Sequence, residues 1–175
     1  IHGDEQNLLR IKDYCNHYSS YFDDILCTGD LIYNVWSDDF SYWSSANAGN
    51  ILTCIGNHDT REGDVWDSHA GADAYNRYFA PFISNWGVTQ PANAAENGYC
   101  YYYKDYSNSK IRMIVLDVMA MDSTQLSWLE STLNDVLSNH SDYSVVVVEH
   151  YPFSSNISTV IDCSFCPCTM SFIRL

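Results

Sequence analysis

Short apolar runs alternating with polar, helix-spaced stretches set the rhythm of this chain. Residues 24–28, 51–55 and 145–149 are each about one strand long and read as buried strands. Ahead of them, Leu8, Ile11, Cys15 and Tyr18 recur at helical spacing between Asp4 and Tyr18, with Asp4 available as a cap. Residues 34–49 are polar and aromatic and fit either a helix or a long loop. Asp64 to Phe79 mixes aromatics with alanine and predicts helix that stops before Pro81. Residues 83–98, rich in Asn, Ala, Gly and Pro, predict an irregular excursion. Tyrosine-rich Gly98–Tyr106 and the mostly apolar Lys110–Val118 flank Ser107-Asn108-Ser109, which predicts a hairpin. Asp122, with Gln125 three residues on, predicts a capped helix whose Leu126, Leu129, Leu133 and Val136, with Trp128, face the core. The order β-α-β-α-β, then hairpin, helix and strand, predicts an α/β domain with helices packed on stacked sheets.

The ends of the apolar runs carry the chemistry. Ile25-Leu26-Cys27 leads into Gly29-Asp30, and Ile51–Ile55 leads into Gly56-Asn57-His58-Asp59. Val145-Val146-Val147-Val148 leads into Glu149-His150. Strands that deliver Asp, Asn, His and a second His to one edge supply what a divalent metal site needs. In α/β folds that edge, outside the carboxyl ends of the strands, is where ligands bind.

In this order and spacing, Gly29-Asp30, Gly56-Asn57-His58-Asp59 and Val147-Val148-Glu149-His150 resemble three motifs of the calcineurin-like metallophosphoesterases. Ile1-His2-Gly3 resembles the family's opening D-x-H motif with its Asp missing, and no GHxH motif follows His150. The expectation is a fragment truncated at both ends: a domain over residues 1–160 and a Cys-rich tail over 161–175 of uncertain origin. The resemblance implies a four-layer αββα sandwich, C-terminally incomplete here.

It also implies metal-dependent hydrolysis of a phosphate ester by a metal-bridging hydroxide, with two divalent ions (Mn, Fe or Zn) as cofactor. Asp30 would bridge the ions, since a carboxylate can bridge where an imidazole cannot. Asn57 and His150 would hold one ion, and His2 the other. His58 would sit over the phosphate and donate a proton, with Asp59 orienting its imidazole. Tyr33 is expected as an aromatic wall. Gly29-Asp30-Leu31-Ile32-Tyr33 also fits the GDxxY variant of purple acid phosphatases, in which that tyrosine binds iron, but His2 speaks against them. Leu31-Ile32-Tyr33-Asn34 departs from the phosphoprotein phosphatase pattern. The alternative is a metal- or phosphate-binding module without turnover. Residues 1–175 alone are expected to bind about one ion weakly and to be poorly active, since one ion lacks its first-motif Asp and both lack the GHxH imidazoles.

Composition narrows the partners. With 22 acidic against 8 basic side chains, a net charge of −14 disfavours nucleic acid, whose binding relies on Lys and Arg. It does not forbid a phosphate ester, because bound divalent ions invert the local charge. Phosphomonoesters, cyclic nucleotides, nucleotide pyrophosphates and DNA ends stay open as substrates, with DNA disfavoured by the acidic surface. No apolar run approaches the roughly 20 residues of a membrane span, so no membrane partner is expected. The compartment stays open, with the cytoplasm as the default. Of seven cysteines, Cys15, Cys27, Cys54 and Cys100 are expected as small buried apolar residues. Cys163, Cys166 and Cys168 form C-x-x-C-x-C without the fourth ligand that structural zinc requires.

Overall fold

The computed structural model describes residues 5–33, 51–61, 75, 78–79, 82–83 and 85–151, together with the backbone of 169–173. His2, the 34–49 stretch, most of the expected 64–79 helix and the three tail cysteines lie outside the described residues.

The first half of the chain contributes helix α1 (Glu5–His17) and strands β1 (Leu26–Cys27) and β2 (Leu52–Thr53). These strands pair in parallel, with Leu26 opposite Leu52 and Cys27 opposite Thr53. The predicted runs 24–28 and 51–55 are thus longer than the paired ladder. Every residue of 51–55 is nevertheless buried, as expected of a strand covered on both faces. In α1, Leu8 is buried in the core and Leu9 packs against it. Ile11, 42% exposed, and Tyr18 turn outward, so the inward stripe runs Leu8, Lys12, Cys15 rather than through Ile11. Cys54 and Cys100 are buried, whereas Cys15 and Cys27 are only half-buried.

The second half builds a mixed four-stranded sheet in the order β3-β4-β5-β6. A single turn α2 (Ala94–Asn97) precedes β3 (Tyr102–Tyr106), which forms the expected hairpin with β4 (Ile111–Val115). Helix α3 (Ser123–Asn139) then crosses over to β5 (Ser144–Glu149), parallel to β4. β6 (Thr169–Ile173) pairs antiparallel on the far edge of β5, so the segment after the cysteines enters the sheet.

Period-two alternation divides the faces of this sheet. Ile114, Leu116, Val145 and Val147 lie under α3 with Val136, Trp128, Leu129 and Leu133. Met113, Val115 and Val148 face the other way, into a core shared with Leu52, Cys54 and Ile55 of the first half. The two sheets also touch through polar atoms. The Tyr102 hydroxyl donates to the Thr53 carbonyl at 2.8 Å, and the Cys54 thiol to the Leu116 carbonyl at 3.4 Å.

Helix α3 begins as expected, with the Asp122 side chain accepting from the Gln125 amide at 2.8 Å. The Gln125 side chain does not close a capping box. It is fully buried, accepts from Asp117 N and donates to Asp117 O, both at 2.8 Å. That rotates the inward stripe to Gln125, Trp128, Leu129, Thr132, Leu133 and Val136, and leaves Leu126 51% exposed. Below the helix, Arg112 is almost fully buried on β4. It forks onto both Asp105 oxygens at 2.7 Å, reaches Asp135 at 2.7 Å, and stacks 4.1 Å from the Tyr103 ring centroid.

Two substitutions separate the helix contacts that carry energy from those that do not. Arg112→Met strips two carboxylates of a buried partner and should cost about 3 kcal/mol in chemical denaturation. Leu126→Ala, predicted from spacing to open a cavity, should instead stay within about 0.5 kcal/mol of wild type.

Candidate metal centre

Three strand ends meet at one edge. β1 and β2 deliver Asp30 and Asn57 from the first half, and β5 delivers His150 from the larger sheet. Their approach is close enough to exclude side chains at two positions. A Cβ on Gly29, whose φ is +99°, would lie 2.6 Å from His150 Nδ1 and 3.0 Å from the Gly56 backbone. A Cβ on Gly56 would lie 2.5 Å from Asp30 N and 2.6 Å from Asp30 Oδ1. The glycines of the Gly-Asp and Gly-Asn-His-Asp segments are therefore required by contact between the segments themselves. Asp30 follows in the left-handed region at φ 53°, a conformation that aspartate tolerates better than most side chains.

The polar atoms at this edge are mostly acceptors. His150 Nδ1 is 2.8 Å from the Thr28 carbonyl oxygen, which can only accept, so Nδ1 carries the proton. Nε2 then faces Asn57 Oδ1 at 3.0 Å and Asp30 Oδ1 at 3.3 Å. With Nδ1 carrying the proton, Nε2, Asn57 Oδ1 and Asp30 Oδ1 bring acceptor atoms together in an arrangement that could hold a cation. The spacing suits a metal. Adjacent ligands at about 2.0–2.1 Å from an ion stand about 3.0–3.3 Å apart in octahedral or tetrahedral shells. The Nδ1–H bond to a backbone carbonyl is also the support that orients metal-binding histidines.

The converging atoms are mixed in type. Among the described residues, no group of three or more His, Cys, Asp or Glu side chains gathers where it could hold an ion. What converges is one carboxylate, one imidazole and one amide oxygen. Tyr151, missed in the sequence, also reaches this point, its hydroxyl donating to Asn57 Oδ1 at 2.6 Å. Its place directly after His150 at the strand end was the available signal.

His58 stands beside the cluster, half-buried, with Nδ1 2.9 Å from the Tyr33 carbonyl oxygen. Its ring lies against the Tyr33 ring, centroids 5.0 Å apart, and Arg61 sits over the same tyrosine at 5.2 Å. Tyr33 thus forms a wall beside the edge, as expected, and its backbone rather than Asp59 orients the imidazole. The expected Asp59–His58 pairing is corrected by the geometry. Asp59 is completely buried and turned inward, its Oδ1 accepting from Leu31 N at 2.7 Å and Ile32 N at 3.0 Å. Its Oδ2 accepts from Gly56 N at 2.8 Å. Burial pushes this carboxyl up to about 7, against the pull of the amides and with a further push from Asp30. Asp30 in turn accepts from His58 N at 3.1 Å.

The sequence profile of the calcineurin-like phosphoesterases matches residues 1–166. No curated protein and no solved structure matches the chain. The match runs through all three strand ends that meet at this edge, and the chain belongs to the calcineurin-like phosphoesterase family.

Proposed function

We propose that this protein hydrolyses a phosphate ester in a metal-dependent reaction at the edge formed by Asp30, Asn57 and His150. The observation that carries the reading is the approach of His150 Nε2 to Asn57 Oδ1 at 3.0 Å and to Asp30 Oδ1 at 3.3 Å, with Nδ1 committed to the Thr28 carbonyl. Family membership supports it, since these proteins in general act on phosphate esters with divalent metals. The same reading takes the two sheets as the inner layers of a four-layer αββα sandwich, with α1 and α3 outside.

A phosphate ester is a poor electrophile wrapped in negative charge. Divalent ions, two in the full site, supply Lewis-acid stabilisation of phosphoryl oxygens and acidify water at neutral pH. Asp30, as the anionic member, would be shared between the ions; Asn57 and His150 would hold one ion from opposite sheets, and His2 would serve the second. His58 holds or moves a proton at Nε2, because its Nδ1–H is committed to the Tyr33 carbonyl. A positioned imidazole of this kind can protonate the leaving oxygen or donate to a phosphoryl oxygen.

Purified full-length protein supplied with manganese should hydrolyse an aryl phosphate or a bis-aryl phosphodiester, and a chelator should abolish the reaction. Metal-replete protein inactive on both ester classes would defeat the enzyme reading and leave a metal-binding module. His58→Ala should cut turnover by roughly 10²–10⁴-fold with metal content unchanged, since it removes a proton carrier and not a ligand. Metal loss in that variant, measured by atomic absorption, would show the imidazole to be a ligand instead. Gly56→Ala should weaken manganese binding in a calorimetric titration, because the new methyl group must displace Asp30.

A further inference from the structure

We infer that Asp59 is a positioning residue for the metal edge: by holding the amides of Leu31, Ile32 and Gly56, its buried carboxylate fixes how Asp30 meets Asn57 and His150, and so sets the affinity of that edge for a divalent cation. The inference rests on the metal-dependent reading above and adds a residue to it that binds neither metal nor substrate.

The placement of the three amides is what gives Asp59 this reach. Leu31 and Ile32 immediately follow Asp30, whose left-handed backbone is adopted reluctantly by L-residues. Anchoring the next two amides fixes the peptide planes leaving Asp30 and therefore the direction of its side chain. Gly56 immediately precedes Asn57 and makes the closest approach to Asp30. One carboxylate thus grips both sides of the tightest contact in the centre.

The chemistry of the side chain is specific. Three N–H donors converge on two oxygens, and a carboxylate is the side chain that accepts on both. Asparagine could satisfy Leu31 and Ile32 through its oxygen, but its NH2 would then face the Gly56 N–H at 2.8 Å, donor against donor. Glutamate carries an extra methylene into a space where Asp59 is already 0% exposed. Among the described residues no side chain donates to Asp59, so its contacts serve the backbone of the two loops alone. A simple turn-former would need none of the contacts to Leu31 and Ile32, because the local turn is closed by Asp59 N donating to Gly56 O at 3.1 Å.

The test compares wild type, Asp59→Asn and a control of equal thermal midpoint, Val136→Ala, whose cavity lies under α3 in the other core cluster. Amide exchange is followed by NMR without metal, and manganese affinity by calorimetry. In wild type the Leu31, Ile32 and Gly56 amides should exchange slowly; rapid exchange at all three overturns the inference outright. In Asp59→Asn, protection should fall at Gly56 and also at His58, whose amide donates to Asp30 Oδ1. Manganese affinity should fall at least tenfold in Asp59→Asn and not in the control. Asp59→Ser, which leaves room without a facing donor, serves if the Asn variant does not fold. Unchanged His58 protection, or equal affinity in Asp59→Asn and control, makes Asp59 merely structural and overturns the inference. Wild-type protein that takes up no manganese while the His58 amide still responds removes the metal reading and keeps the positioning of Asp30.

Discussion

Asp30 and Asp59 each reach across to the backbone of the other's loop. Asp30 accepts from the His58 amide, and Asp59 accepts from the two amides that follow Asp30. This reciprocal lacing joins residues 27 or 28 positions apart through backbone donors. Backbone donors cannot titrate or rotate away, so the junction is stiffer than a pair of ion bridges with long flexible arms would be. The cost is desolvation of a buried carboxylate, visible in the raised pKa of Asp59. Gly29 and Gly56 are consequences of the same constraint. Loops laced this tightly leave no volume for a Cβ between them.

The hydrophobic frame decides which atoms the laced loops can meet. Because β4 and β5 alternate strictly, one set of side chains seats α3 and the other seats the first-half core. The second interface holds the carboxyl end of β5 against the carboxyl ends of β1 and β2, and His150 crosses it to the Thr28 carbonyl. An imidazole fixed to one sheet by its strand and to the other by Nδ1 reports any sliding between them. The buried Arg112 network anchors the helix side of the larger sheet, far along the strands from that edge. Sheet stacking and site geometry are thus one problem, solved mainly by apolar packing.

Periodicity in the sequence anticipated β5, the hairpin and α3 closely, because each repeats over five or more residues. It misjudged details wherever one side chain outbid the pattern. Gln125 buries itself against the Asp117 backbone and rolls α3 so that Leu126 points outward. The runs at 24–28 and 51–55 promised longer ladders than β1 and β2 form, since a buried apolar run signals coverage and not pairing. The convergence of Asp30, Asn57 and His150 at the candidate site was readable from the strands that end beside them, helped by resemblance to a known family. The orientation of Asp59 was not. Its partners are backbone amides, which every residue but proline carries, so nothing in the letters distinguishes them. The Tyr33 carbonyl that holds His58 was invisible for the same reason.

Charge explains why lacing by neutral amides suits this particular edge. The chain is strongly acidic, and a phosphate ester, on the proposed reading, would bring further negative charge to a place already holding two carboxyl groups. Had Asp59 been neutralised by a buried lysine or arginine, that cation would also have offset the field of Asp30 and weakened its hold on a metal. Amide donors satisfy the buried oxygens without importing a full positive charge. On the proposed reading Asp30 would then keep its attraction for a divalent ion, and bound ions would turn the edge from repelling an anionic ester to attracting it.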